Sequence, residues 1–334
     1  MEMTNKLVQG NVEKKPKGGI FSKPLFLQSI KSNWVLWLVL TLGSAAIFVI
    51  VNLVVGTHKL FNPVDMNAVQ TYLADEGISF LGFLGALDTF GFSLNRIQVM
   101  TNIDINAVLN DIIYKIAGVF LPMIYVMITA NKLIASQVSD GSMAYVLSTP
   151  TSRKKVVRTQ YSFLILSLIA MYLIIAICAF ATAIIAFYIA PEPDINVGTV
   201  CLRTVLYCLG SFCGIFALAG VCFFASCWFN KSNQSIALGG GACVLAFLCC
   251  VLGLFGNKVF VAVGVGVQAM DFFNYLTIFT LIDTDAMSNF AKVTTGCYGI
   301  QNLNWVWESL VLVGIGAIFS IIGAVKFTKK DLPL

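Results

Sequence analysis

The feature that most limits what this chain can become is a series of uncharged apolar runs, each long enough to cross a bilayer. Trp34–Val55, Tyr161–Ala190, Thr204–Asn230 and Ser232–Asn257 contain no Asp, Glu, Lys or Arg, and about 20 such residues in a helix span the hydrocarbon core. Two shorter runs, Ile116–Asn131 and Ser309–Val325, are followed by Lys132 and Lys326, whose long stems let the ammonium group reach the interface. Spans are therefore expected at about 34–55, 113–135, 161–190, 204–229, 234–256 and 307–326. Only 11% of the residues are charged, against 58% apolar, whereas a soluble domain carries roughly a quarter charged. The sequence predicts an all-α membrane protein of six transmembrane helices, with residues 20–334 forming one membrane domain.

Lys and Arg concentrate on the cytoplasmic side of membrane proteins, and here they fall into alternate segments. Lys14, Lys15, Lys17, Lys23 and Lys31 precede the first run; Lys132, Arg153, Lys154, Lys155 and Arg158 lie between the second and third. Lys231 separates the fourth from the fifth, and Lys326, Lys329 and Lys330 end the chain. That pattern puts both termini in the cytoplasm and leaves Lys59, Arg96, Lys115, Arg203, Lys258 and Lys292 outside. The net charge of +5 is then a topology signal and does not point to nucleic acid. The first lysines can also touch anionic lipid, for about 1 kcal/mol each.

Between these runs, residues 1–19 read as a disordered basic N-terminus, and Ile20–Ser32 as a short interfacial helix alternating Phe21, Leu25, Phe26 and Ile30 with Lys23, Gln28 and Lys31. Trp34–Val55 is expected to be retained as a signal anchor, because no small-residue cleavage site follows it. Residues 57–111 form an outer loop and 136–160 an inner one. The stretch 258–306 holds two apolar runs of about a dozen residues, Val259–Met270 and Phe272–Ile282, around Asp271; runs that short favour an outer re-entrant hairpin before the last helix. Joining them into one span would bury Asp271 at roughly 3 kcal/mol and move the C-terminal lysines outside.

Catalytic chemistry finds no footing. There is no G-x-x-x-x-G-K-[ST] to cradle phosphate; Gly239-Gly240-Gly241 lies within an apolar run without a following lysine. Ten cysteines and one histidine, His58, show no C-x-x-C spacing, and cysteines in spans act as small hydrophobes; Cys297 alone is expected in an outer loop. No metal site is expected. Asp271 is the one candidate for a charge inside the membrane, which ion-coupled carriers usually need. Gly210-x-x-x-Gly214 can set a close helix contact, while Trp34, Trp37, Trp305 and Trp307 read as interfacial anchors.

The polar link Ser139–Arg158, SDGSMAYVLSTPTSRKKVVR, is where a soluble partner can reach the membrane domain. Asp140-Gly141-Ser142 opens with a good helix cap, Ser142–Leu147 makes a turn or two, and Thr149-Pro150 ends it. Arg153, Lys154, Lys155 and Arg158 then restart the chain. A topogenic basic loop, as any membrane protein has, is the plain alternative.

This link resembles the cytoplasmic loop of ABC-2 type (type 2 ABC exporter) permeases. There a G-T/S, a few apolar residues, a small-Thr-Pro and an S-R-basic-basic recur between the second and third spans. Thr129–Gln137 (TANKLIASQ), Phe327–Leu334 (FTKKDLPL) and the layout of spans are also similar to that family, particularly its versions in low-GC Gram-positive bacteria. The resemblance implies a transport subunit of a bacterial plasma membrane, with no cofactor of its own. It would pair with a second permease copy or sister permease and dock an ABC ATPase subunit that binds ATP and magnesium. Asp140–Leu147 would be the coupling helix, inserting Met143, Tyr145 and Val146 into the ATPase, with Arg153, Lys154 and Lys155 at headgroups or ATPase carboxylates. The family's acidic residue two places after the G-T/S is here Ala144, so Asp140 is the carboxylate left for that contact. A sensory subunit with 57–111 as its ligand-binding loop, or an ion-coupled carrier, are the competing functions.

Overall fold

The computed structural model of the protein describes residues 21–58, 114, 118–148, 151–189, 195–256, 267–297 and 303–330. They form helices and turns, and among them six helices are long and apolar enough to cross a membrane. The first is α1, Lys23–His58. Next come α2, Gly118–Leu133, then two short helices, α3 (Ala135–Ser139) and α4 (Ser142–Ser148), and the 37-residue α5, Arg153–Ile189. After α6 (Val197–Trp228) and α7 (Ser232–Leu254) follow 3-10 turns at Gln268–Asp271 and Ile278–Leu281 that flank α8 (Phe272–Leu276). The last elements are α9 (Thr284–Thr294) and α10 (Asn304–Lys329). Residues 1–19 and the outer loop as far as Ile113 (beyond the end of α1) lie outside the described residues, as do Thr149 and Pro150.

One expectation is corrected at once. The separate interfacial helix does not form; Lys23–Ser32 is the first part of α1. Neither Gly nor Pro stands between Ser32 and Trp34 to release the backbone, and Pro24 occupies the first turn, where its missing N–H costs nothing. At 36 residues the helix is ~54 Å long, well beyond a hydrocarbon core of ~30 Å.

The hydrogen bonds fix how the helices run. Ser29 Oγ donates to Gln160 Oε1 (2.8 Å), Trp37 Nε1 to the Ser167 carbonyl (2.9 Å) and Asn52 Nδ2 to Thr182 Oγ1 (3.1 Å). The offset between partners stays near 130 residues, so α1 and α5 are parallel and start on the same face. Asn131 Nδ2 donates to Ser232 Oγ at 2.7 Å, joining the end of α2 to the start of α7. The Lys330 ammonium donates to the Trp228 carbonyl, joining the ends of α10 and α6. One face therefore collects Lys23, Lys31, Lys132, Arg153, Lys154, Lys155, Arg158, Lys231, Lys326, Lys329 and Lys330. Among the described residues its one carboxylate is Asp140, while Asp271, Asp283, Asp285 and Glu308 lie toward the other.

The centre of the bundle is α6, packed by α10, α2, α5 and α7. Small residues make this possible: a Cβ on Gly220 would overlap the Gly316 carbonyl, and one on Gly316 would lie 2.7 Å from the Phe216 carbonyl oxygen. Backbone rests on backbone where α6 crosses α10, which is how membrane helices gain dispersion contact without a hydrophobic force between them. Gly210 and Gly214 do something else. A Cβ there would meet Met287 Cε at 2.6 Å and Ile282 Cδ1 at 2.8 Å, so these glycines receive side chains from the segment before α10.

In the described part of that segment, residues 267–297, no helix is long enough to span a membrane. Among the described residues, α9 is the longest helix between α7 and α10. The segment folds against α6 and α7, with Thr277 Oγ1 donating to the Ala246 carbonyl (2.8 Å) and Asn274 Nδ2 to that of Gly253 (3.1 Å). Ala246 is eight residues before the end of α7, about 12 Å along it. Phe279, Ile282 and Met287 are buried there. Asp271 is exposed and accepts from Asn274 Nδ2 at 2.9 Å.

Candidate functional site

The link between α2 and α5 is a built surface on the basic face. Backbone angles at Ile134 (φ −130°, ψ −63°) break the helix between α2 and α3, and the freed Ala135 N–H donates to Ser226 Oγ at 3.0 Å. This pins the start of α3 to the last turn of α6. The chain reverses at Gly141, whose φ of +72° lies in the left-handed region. Only glycine takes that angle at no steric cost, and the Gly141 N–H closes the turn onto the Val138 carbonyl at 3.2 Å. The Asp140 carboxylate accepts from Ser136 Oγ at 3.1 Å, so it braces the turn from behind.

Around α4 the burial alternates with helical spacing. Ser142, Tyr145 and Ser148, three residues apart, are exposed, and Tyr145 is the extreme at 80%. Met143 is buried at 1%, and Val146 and Leu147 are half-buried against the same core. Of the residues expected to insert into a partner, Met143 is instead buried against its own chain and anchors α4, while Tyr145 is the side chain that α4 exposes most. A helix of this length gains too little from its own hydrogen bonds to hold alone; packing of Met143 supplies the rest. Thr151 Oγ1 closes the far end by donating to the Val146 carbonyl at 2.8 Å.

The basic cluster divides in two. Arg153 Nη1 donates to the Lys330 carbonyl at 2.6 Å, placing a cation at the negative end of the α10 dipole. Lys330 continues the tie by donating to Trp228, whose ring also has Lys326 Nζ 4.5 Å above its centroid. Burial, together with the neighbouring Lys326 charge, holds the Lys330 ammonium below the ordinary lysine range. Arg153 thus bolts the loop to α10 and, through Lys330, to α6. Lys154 and Arg158 remain exposed, and Lys155 is half-exposed. Lys132 does not only reach the interface: its ammonium donates to the Ser32 carbonyl of α1 at 2.8 Å.

These ties were invisible in the chain's pattern, because their acceptors are backbone carbonyls that any residue provides. Among the described residues no group of His, Cys, Asp and Glu is placed to hold a metal ion. The ten cysteines are free thiols; Cys222 and Cys243 sit with sulfurs 3.3 Å apart between α6 and α7. Cys297 has Thr199 Oγ1 at 3.4 Å, and that hydroxyl with the Asn196 backbone draws its thiol pKa down.

Six long apolar helices, with the basic residues gathered at one end of the bundle, define a multi-pass helical membrane protein. A family profile described as ABC-2 family transporter protein matches residues 26–332, nearly the whole chain. The chain belongs to the ABC-2 transporter family, and it is the membrane-embedded kind of protein in an ABC transporter. That membership implies a partner ATPase subunit. No curated protein and no solved structure matches the chain.

Proposed function

We propose that this chain is the permease subunit of an exporter, driven by a separate ATPase that docks on α4 from the cytoplasm. The observation that carries the reading is the exposed Ser142–Tyr145–Ser148 edge, standing on a link that is tied to α6 and α10. In this reading the basic face is cytoplasmic, as the positive-inside rule favours. A closing ATPase presses on Tyr145. Met143 passes the push to the core, Arg153 carries it to α10, and the Ala135–Ser226 bond carries it to α6. Since α6 and α10 touch through backbone at Gly220 and Gly316, they move as a unit.

ATP and magnesium belong to the ATPase, and this chain holds neither. Two permeases, identical or sister copies, enclose the path of the cargo. A hydrophobic or amphipathic cargo (lipid, peptide or drug) suits a bundle whose described spans carry so few charges. Residues Gln268–Leu281, folded along α7 as far as Ala246, serve as an outer re-entrant element that closes the path on the far side.

The test is to purify the tagged chain in mild detergent and look for an accompanying ATPase. Tyr145→Ala is expected to abolish co-purification and to lower vanadate-sensitive ATP hydrolysis at least tenfold, with folding unchanged. An ATPase retained at wild-type level by Tyr145→Ala and Tyr145→Asp alike rejects α4 as the docking helix.

A further inference from the structure

Between α1 and α5, at the end that opens on the basic face, lies a groove with a cavity volume of about 290 Å3. Phe26, Ile30, Trp34 and Trp37 of α1 line it opposite Phe163 and Leu166 of α5. From Phe26 to Trp37 it runs ~16 Å along α1, about half of a ~30 Å hydrocarbon core. That is the depth of one leaflet. Its sealed floor explains why it does not collapse: Trp37 Nε1 is committed to the Ser167 carbonyl, and Phe26 stands edge-on to Phe163 at 5.7 Å.

The mouth of the groove is cationic. Lys23 precedes Phe26 and Ile30 by three and seven residues, hence shares their face of the helix. The Ser22 N–H donates to Thr159 Oγ1 at 3.1 Å, and Thr159 Oγ1 in turn donates to the Lys155 carbonyl at 2.8 Å. This brings Lys155 to the same end, one turn beyond Thr159. Neither α1 nor the stretch Arg153–Phe163 contains an Asp or Glu, so within the two helices that form the groove no carboxylate competes for these two ammonium groups. An apolar slot one leaflet deep with two cations at its rim matches one class of molecule.

We propose that this groove binds a single anionic phospholipid of the leaflet on the basic face, an acyl chain lying along Trp34 and the phosphate between Lys23 and Lys155. The lipid fills a gap between α1 and α5 that protein side chains leave open. Since α5 begins immediately after the coupling loop, the lipid bridges that loop to the first span. The site concerns resident lipid and stands whether or not α4 docks an ATPase or the cargo is a lipid.

Trp34 and Trp37 are built-in probes. The chain keeping only the two groove tryptophans, Trp34 and Trp37 (Trp228, Trp305 and Trp307 changed to Phe), is reconstituted into phosphatidylcholine vesicles, so that the Trp37–Ser167 bond is retained. They contain one-tenth brominated phosphatidylglycerol or, in the parallel sample, one-tenth brominated phosphatidylcholine. Quenching by the anionic lipid is expected to need about fivefold less lipid than quenching by the zwitterionic one, the factor that one lysine at a charged headgroup supplies. Ala170→Phe, which fills the groove wall, and the pair Lys23→Gln with Lys155→Gln each bring the ratio to one. A control chain keeping only Trp307, on the opposite face and 71% exposed, shows no preference. Equal quenching of the groove tryptophans by both lipids overturns the proposal, and so does a preference that survives Ala170→Phe, because that marks general attraction to a basic surface. Should the tryptophan variants not fold, native mass spectrometry of the unaltered chain decides: one retained phosphatidylglycerol, absent from Ala170→Phe, supports the site, and none retained overturns it.

Discussion

Where α6 crosses α10, Gly220 and Gly316 face each other so closely that neither can carry a side chain; in α4, one residue is buried and its neighbour two positions on is 80% exposed. The crossing is held by dispersion between backbones, spread over two long helices, and has no spare volume. The α4 turn is held by a few discrete ties: Met143 in the core, Gly141 in the left-handed region, and Arg153 on the end of α10. A rigid centre with a small, separately anchored appendage is suited to receiving a push without deforming. The difference also dictates which substitutions should destroy the fold and which should leave it intact while removing the contact.

The largest effect should come from the crossing. Gly220→Val forces α6 and α10 apart and is expected to cost about 3 kcal/mol or more, seen as loss of the monodisperse peak in detergent size-exclusion chromatography. An unchanged peak and melting temperature would show that the helices separate freely there. Next is Met143→Ala, which removes the anchor of α4 at a cost of about 2 kcal/mol or more. Its thermal midpoint should fall, and accelerated hydrogen exchange should be confined to residues 135–158.

Gly141→Ala comes third. Open space surrounds the missing Cβ, so the penalty is conformational only, about 1 kcal/mol. Gly141→Pro, whose ring demands a φ near −65° against the observed +72°, should unfold the turn while leaving membrane insertion intact, and under the function proposed above it halts export. Arg153→Ala should cost about 1.5 kcal/mol, in the range of a hydrogen bond from a charged group, and Arg153→Lys should recover only part of it. Last, Tyr145→Ala should shift stability by less than ~0.5 kcal/mol. If it destabilises as much as Met143→Ala, the contrast between the inward and outward faces of α4 is wrong.

The six spans were legible because a helix in lipid must be apolar for about 20 residues whatever its neighbours are. The break between two of them lies where the chain marks it, with Trp228 ending α6 and Ser232 beginning α7, whereas α1, α5 and α6 begin at Lys23, Arg153 and Val197, ahead of the expected 34, 161 and 204. The position of α4 was legible from Gly141 and the polar break around it. Its facing was not. Met143, Tyr145 and Val146 are equally apolar on paper, and which one turns inward depends on where α6 and α5 stand. Ser32 and Trp34 show the same limit in another form. Amphipathic alternation places a helix boundary between Ser32 and Trp34, yet nothing in the backbone stops the helix there, and α5 alongside keeps it continuous.

By itself the sequence determined the class, the number of spans, the face on which the cations gather and the place where the chain leaves the membrane. These follow from the free energy of moving single residues between water and lipid, which each residue carries with it. Only the tertiary structure decided that Gly210 and Gly214 receive Ile282 and Met287 while Gly220 meets Gly316, that Arg153 binds α10, and that a slot remains between α1 and α5. Those outcomes depend on pairs of residues roughly 70 to 180 positions apart. Every apolar helix offers several small-residue faces and many carbonyls, and the packing of all six helices together selects which are used.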